Sequence, residues 1–120
     1  MSSYEEYILK ILKKENISFI REKTFKDLKK GKFRFDFFLK DKNIIIEVDG
    51  EYHFKEIRGR RAYLKQCEHD RQKNSYCLCN NIDLYRIPYW DLQKIKNFSD
   101  IINIKYKVKD RWHNDNLKKS

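Results

Sequence analysis

The segment 33-FRFDFFLKDKNIIIEVDGEYHF-54 alternates, turns, and then becomes almost wholly apolar. In its first arm Phe33, Phe35, Phe37 and Leu39 fall on one face of a period-two strand, and Arg34, Asp36 and Phe38 on the other. The second arm, residues 43–49, opens on Ile44-Ile45-Ile46, a β-branched run suited to a strand buried on both faces. Between them Lys40-Asp41-Lys42-Asn43 is a polar turn. With Asp41 and Lys42 at the turn, Leu39 faces Ile44, Asp36 faces Glu47, and Arg34 faces Asp49. Asp36, Glu47 and Asp49 then share a face as one acidic cluster. Like charges opposed across a sheet destabilise it unless a cation neutralises them. A divalent metal is the simple solution, because hard cations take carboxylate oxygens. A surface hairpin whose acids bond to nearby Lys and Arg is the bland alternative, and the isoleucine run argues against it.

The rest of the composition points the opposite way in charge. Lys and Arg number 28 against 18 Asp and Glu, so the 120 residues carry a formal charge of +10, the balance of a chain that meets nucleic acid or an anionic surface. Membrane-surface binding would need a basic amphipathic helix with a bulky apolar face, and none is evident. No apolar run reaches a membrane span, and no signal-peptide core opens the chain. Three cysteines without framework spacing suit free thiols in a reducing, non-secreted setting. A single domain is expected over residues 1–120, with 105–120 as a basic C-terminal tail, partly disordered. Acids concentrated in one hairpin of so basic a chain suggest a metal site set inside a phosphate-binding surface.

In chain order, residues 2–14 predict a helix with Ile8, Leu9, Ile11 and Leu12 as its stripe. Ser2 with Glu5, or Ser3 with Glu6, makes a capping box, and Glu5 borders the stripe more closely than Glu6. Residues 16–25 read as a turn and a strand with Ile17 and Phe19 inward. Gly50 turns residues 51–54 back across the strand end. Residues 55–65 form a basic loop leading into a helix. That second helix spans residues 62 or 63 to 80, with Tyr63, Cys67, Asp70, Asn74 and Cys77 on one stripe and Lys73 beside it. Residues 82–87 are a strand reached by a crossover, hence parallel to a neighbour in the sheet. A short helical turn follows from Tyr89, and residues 98–108 carry a weak helical pattern.

The chemistry follows from this layout. Asp36, Glu47 and Asp49 are placed to hold Mg²⁺, or Mn²⁺ in its stead, which would polarise a phosphate and acidify a bound water. His53, just past the glycine turn, is a candidate base for that water, its ordinary pKa suiting neutral pH. Asp70 is either structural or orients His53 and the metal site. Arg34, Lys55, Arg58, Arg60, Arg61 and Lys65 are candidates for holding a phosphate backbone, and Tyr52 or Phe54 for touching bases. Cys67, His69, Cys77 and Cys79 have the wrong spacing for zinc.

Asp36, the run IEVDGEYH (46–53), CEHDRQK (67–73) and LYRIPYW (84–90) together resemble small PD-(D/E)XK restriction-endonuclease-like domains, over roughly residues 4–92. The closest branch is that of the very-short-patch-repair (Vsr)-like endonucleases and the EDxHD homing endonucleases of phages and large viruses. The resemblance implies an α/β fold: a small mixed sheet, an antiparallel hairpin plus a parallel crossover strand, flanked by helices. It implies catalytic roles for Asp36, Glu47, His53 and a first-helix glutamate, Glu5 or Glu6. It also implies a Mg²⁺-dependent DNA endonuclease or nickase acting on duplex, structured or mismatched DNA and leaving a 5′-phosphate. A homodimer or a partner protein would supply specificity in so short a chain, and the location would be cytoplasmic, nucleoid or viral-factory. One position departs from the pattern: Asp49 stands where the family lysine is expected. Three alternatives follow: Asp49 is a further ligand, Lys73 supplies the cation from the helix, or the domain binds nucleic acid without cutting it. An RNA-directed nuclease is the remaining alternative, since charge alone does not separate DNA from RNA.

Overall fold

The computed structural model describes residues 2–114 and is a mixed α/β fold around a four-stranded sheet. A helix, α1 (Ser3–Lys14), precedes three antiparallel strands: β1 (Ile20–Lys23), β2 (Phe35–Leu39) and β3 (Ile44–Asp49). A second helix, α2 (Arg60–Cys79), crosses to β4 (Asp83–Pro88), which pairs parallel to β3. The sheet order is β1-β2-β3-β4. A short helix, α3 (Phe98–Ile101), and a helical turn at Ile104–Tyr106 stand where the weaker pattern suggested one terminal helix.

The hairpin register is the one the turn predicted, with Leu39 opposite Ile44 and Phe37 opposite Ile46. Asn43 closes the turn at φ 55, a left-handed conformation that asparagine tolerates. Its side chain donates to the Asn81 carbonyl at 2.8 Å, and its own carbonyl accepts from Asp83 N–H at 3.2 Å, tying the hairpin to the start of β4.

Alternation along β3 sends Ile44, Ile46 and Val48 to one face of the sheet and Ile45 to the other. The first face packs on α1, whose Ile8, Leu9, Ile11 and Leu12 are all buried, each stabilising by about 1.5–3 kcal/mol. Ser2 caps that helix, accepting from Glu5 N–H at 3.2 Å. The second face carries Phe35, Phe38, Ile45, Leu84 and Val108 beneath α2. Phe35 therefore sides with Phe38, not with Phe37 and Leu39 as strict alternation required. The regular β2–β3 ladder stops at the Phe37–Ile46 pair, and Glu22, next to Asp36 across β1, has φ 52. Both strands bend at the level of Asp36, and the side chains before the bend swap faces.

The α2 helix starts at Arg60, two residues before the expected boundary, and buries Cys67, Asp70, Asn74 and Cys77. The segment expected to be a loose tail packs instead: Tyr106, Val108, His113 and Asn114 are buried, and Lys107 bridges to Tyr85. Residues 115–120 of that tail lie outside the described residues. Among the described residues no helix is long and apolar enough to cross a membrane.

Asn43→Ala is expected to destabilise the fold by about 2 kcal/mol, from left-handed strain plus the lost bond to Asn81. Asn43→Gly loses only the bond, about 1 kcal/mol. Urea unfolding measures both, and an alanine variant as stable as the glycine variant would contradict the turn assignment.

Candidate active site

The parallel pairing of β3 with β4 sets Glu47 beside Arg86 and Asp49 beside Pro88. Arg86 is wholly buried under α2. Its Nε donates to Asn74 Oδ1 at 2.7 Å and its Nη1 to Asp49 Oδ1 at 2.9 Å, while Glu47 and Asp70 lie at 3.7 and 3.6 Å. Burial opposes the Arg86 charge, but Asp49, Asp70 and Glu47 outweigh it and raise its pKa further.

Above this network opens a cleft of about 400 Å³ lined by Tyr4, Glu5, Asp36, Glu47, His53 and Lys73, among others. Asp36 and Glu47 meet there as the register required. Asp36 N–H donates to Glu47 Oε1 at 2.7 Å, and Asp36 Oδ2 accepts from Val48 N–H at 2.8 Å. The carboxylate thus takes the place of a ladder acceptor where β2 bends away. Burial first and the Glu47 charge second push the Asp36 carboxyl well above the usual range. Lys73 reaches in from α2, with Nζ 3.0 Å from Glu47 Oε2 and a further bond to the Arg34 carbonyl. Glu5, rather than Glu6, lines the cleft, held by Arg21 at 3.0 Å.

His53 lies on the short turn Glu51–His53, with Nδ1 2.7 Å from Asp70 Oδ2 and 3.6 Å from Asp49 Oδ1. Burial disfavours its charge, but Asp49 and the hydrogen bond to Asp70 prevail and raise its pKa to about 9. On that balance the imidazole holds its proton at neutral pH, which favours proton donation over service as a free base. Asp70 is pushed up by burial but pulled down to about 2 by Arg86 and His53. Its Oδ2 also accepts from Asn114 Nδ2 at 2.8 Å, and its Oδ1 from Gln66 Nε2 at 3.1 Å.

The expected trio of acids is divided. Asp36 and Glu47 face the cleft, whereas Asp49 is fully buried against Arg86 and is not among the cleft-lining residues. The reason is Arg86, one strand away on β4. An arginine inside the apolar strand LYRIP was the available signal. The helical period puts Asn74 on the inward stripe without giving it a role, and nothing in the sequence around Asn114 marks it.

The basic loop lies beside the cleft. Tyr52 is exposed at its edge, and the Arg58 guanidinium stacks 4.0 Å from its ring centroid. Lys55 lies over Tyr89 at 5.4 Å. Arg60 pairs with Glu56 at 2.7 Å and Arg34 with Glu22 at 3.8 Å, both exposed. Arg61 and Lys65 are exposed on α2.

Three cations, Arg86, His53 and Lys73, balance three carboxylates, Asp49, Asp70 and Glu47, in mutual contact. Asp36 stands beside that set as a fourth carboxyl, pushed well above the usual range by burial and by Glu47. Paired carboxyl oxygen donors fit a hard divalent cation. Among the described residues no group of three or more His, Cys, Asp or Glu stands ready in metal-holding geometry. Comparisons with family models, curated proteins and solved structures return no significant match to the chain.

The two ends of the pH range test the network with opposite signs. His53 titrates higher in the folded protein than in the unfolded chain, so its contribution is full below about pH 6.5 and is lost as pH rises through about 9. Urea unfolding should show stability falling by up to about 3 kcal/mol across that window, with the slope absent in His53→Asn. Asp70 acts at the other end, its contribution fading as pH falls from about 4 towards 2. A variant with the wild-type alkaline slope would contradict the assignment.

Proposed function

We propose that this chain is a metal-dependent endonuclease that hydrolyses phosphodiester bonds in DNA, of restriction-endonuclease-like type and nearest to the Vsr-like and homing branch. The observation that carries the reading is the cleft itself. Asp36 and Glu47 stand together at a strand bend with a lysine on one of them, in a chain of formal charge +10. A structural acidic pair would be expected to find its own neutralisation. Here Lys73 and, at 3.7 Å, Arg86 both serve Glu47, while burial and the Glu47 charge push the neighbouring Asp36 carboxyl well upward.

Asp36 and Glu47 would hold Mg²⁺ or Mn²⁺, which when bound would polarise the scissile phosphate and lower the pKa of a water. Lys73 pairs with Glu47 and places positive charge in the cleft. It reaches this position from α2, so the alternative in which the helix supplies the cation missing at Asp49 is the one the geometry favours. Asp49 is then a second carboxylate on Arg86 and His53, not a metal ligand.

His53 acts as a cation and proton donor. With Nδ1 committed to Asp70, its other ring N–H is left for a phosphate oxygen or for the departing 3′ oxygen. Glu5, held by Arg21 on one carboxylate oxygen and by the Ser2 hydroxyl on the other, faces the same cleft and is placed to orient a water. Arg58, Lys55 and Tyr52 flank the entrance, where an incoming strand would meet charge and a stacking surface together. Hydrolysis would leave a 5′-phosphate.

Plasmid nicking with Mg²⁺, with Mn²⁺ and with EDTA tests the reading. Asp36→Asn should lose metal-dependent nicking by a factor of at least about 10³, while binding DNA within a few-fold of wild type. It should also melt higher than wild type without divalent ions, because the raised carboxyl is gone, and should lose any stabilisation by Mg²⁺. Nicking that survives in Asp36→Asn or in EDTA would overturn the proposal. DNA binding with no nicking by the wild-type protein would instead make it a silent binding module.

Lys73→Met is the second test. Loss of nicking by about 10²-fold or more with DNA affinity little changed would assign Lys73 to the reaction. A full-activity Lys73→Met enzyme would return it to a purely structural place on Glu47.

A further inference from the structure

Along α2, Arg61, Lys65, His69 and Lys73 recur every fourth residue. They form one slanting ridge, successive members about 6 Å apart along the axis. Like charges at this spacing destabilise a helix. The acid nearest the middle of the ridge, Glu68, is turned to Arg71 and Arg111 instead. The ridge descends as it runs. Arg61 and Lys65 are exposed, His69 is half-buried, and Lys73 ends on Glu47 in the cleft.

His69 is the odd member. The Phe33 ring packs on its imidazole at 4.6 Å between centroids. The charges acting on it are Lys65, Lys73 and Asp70 from α2 and Lys29 from the turn Lys29–Gly31. Lys73 in turn holds the Arg34 carbonyl, so the segment carrying Phe33 is fastened to the foot of the ridge. Of these charges Asp70 is committed to Arg86 and His53, and Lys73 to Glu47, so Lys29, Lys65 and the imidazole stand as a cationic group suited to a mobile anion.

We propose that this ridge carries the phosphodiester backbone of a DNA strand down to Asp36 and Glu47, and that His69 takes up a solvent proton when a phosphate settles on it. The proposal rests on the nucleic-acid reading above and sharpens it. DNA binding by this protein is proton-linked, and one residue sets the linkage. In the free protein burial first, and then Lys65, Lys73 and Lys29, hold the imidazole below its ordinary value against the pull of Asp70. A bound phosphate reverses that balance. The other two histidines do not interfere. His53, raised to about 9, stays charged from weakly acidic to weakly basic pH, and His113, lowered to about 4, stays neutral.

The test uses the Asp36→Asn protein, which removes both cleavage and the one cleft carboxyl pushed well upward. A fluorescein-labelled oligonucleotide is titrated by anisotropy in EDTA at fixed ionic strength, between about pH 5.5 and 8. Affinity should strengthen about tenfold on acidification, a one-unit rise in the His69 pKa on binding, and less than about twofold once His69→Gln is added. Lys65→Ser should weaken binding at all pH values and reduce the salt slope by about one. By NMR, the His69 ring in Asp36→Asn should titrate at higher pH with DNA than without, a readout that holds even if His69→Gln folds poorly. A pH dependence that persists in His69→Gln, a ring pKa unmoved by DNA, or no DNA binding at all would overturn the proposal. Magnesium-dependent nicking by the wild-type protein is scored separately. Nicking with pH-independent binding removes the ridge and keeps the nuclease. Proton-linked binding without nicking does the reverse.

Discussion

The fold depends on a single buried guanidinium. Of the four buried positions on α2, two are cysteines and two are Asp70 and Asn74, so the helix has little apolar surface with which to hold the sheet. Arg86 supplies the attachment. It bonds Asn74 on the helix and Asp49 on the neighbouring strand, with Asp70 close by. Burying such a charge is tolerable only because carboxylates and amide oxygens surround it, and removing one partner from a buried pair typically costs about 3–5 kcal/mol. The same contacts fix where Asp49 and Asp70 point, and through Asp70 where His53 points. Stability and site geometry therefore share one residue.

Much of the architecture was legible because local rules agree with each other. The turn Lys40–Lys42 with Asn43 sets the register, the register sets Asp36 against Glu47, and the crossover length makes β4 parallel. The stripe on α2 was readable for the same reason: Cys67, Asp70, Asn74 and Cys77 keep a helical period whatever their polarity. The readings that failed are those in which a long-range partner overrides local pattern. Phe35 changes faces because the strands bend at Asp36, and nothing in residues 33–39 encodes the left-handed Glu22 beside it. Alternation along β3 groups Asp49 with Glu47 and says nothing of what else stands beside it. Only the pairing with β4 reveals Arg86. Asn114 lies 44 residues from Asp70, and no periodicity reaches that far.

The charges sort into two systems. Under α2 they are closed pairs, shielded from water and insensitive to salt. Along the outer face of α2 and the loop before it they are open, screened and exchangeable. Asp36 stands at the boundary, bound to the backbone of β3 yet facing the cleft. The bend in β2 and β1 that presents it is a deformation the rest of the sheet accommodates.

The contact between Asn114 and Asp70 bears on the order in which the molecule is made. A chain emerging from the ribosome through β4 already contains the hairpin, the acidic pair, α2 and Arg86. It does not yet contain the amide that shares Asp70 with His53. The last ordering contact on the histidine is supplied 25 or so residues after the sheet is complete, by a segment whose Tyr106 and Val108 must first dock on the two faces of the sheet. A growing chain thus carries all four strands before it carries the amide that completes the hydrogen bonding of Asp70. Synthesis itself separates the two by the time taken to translate that segment.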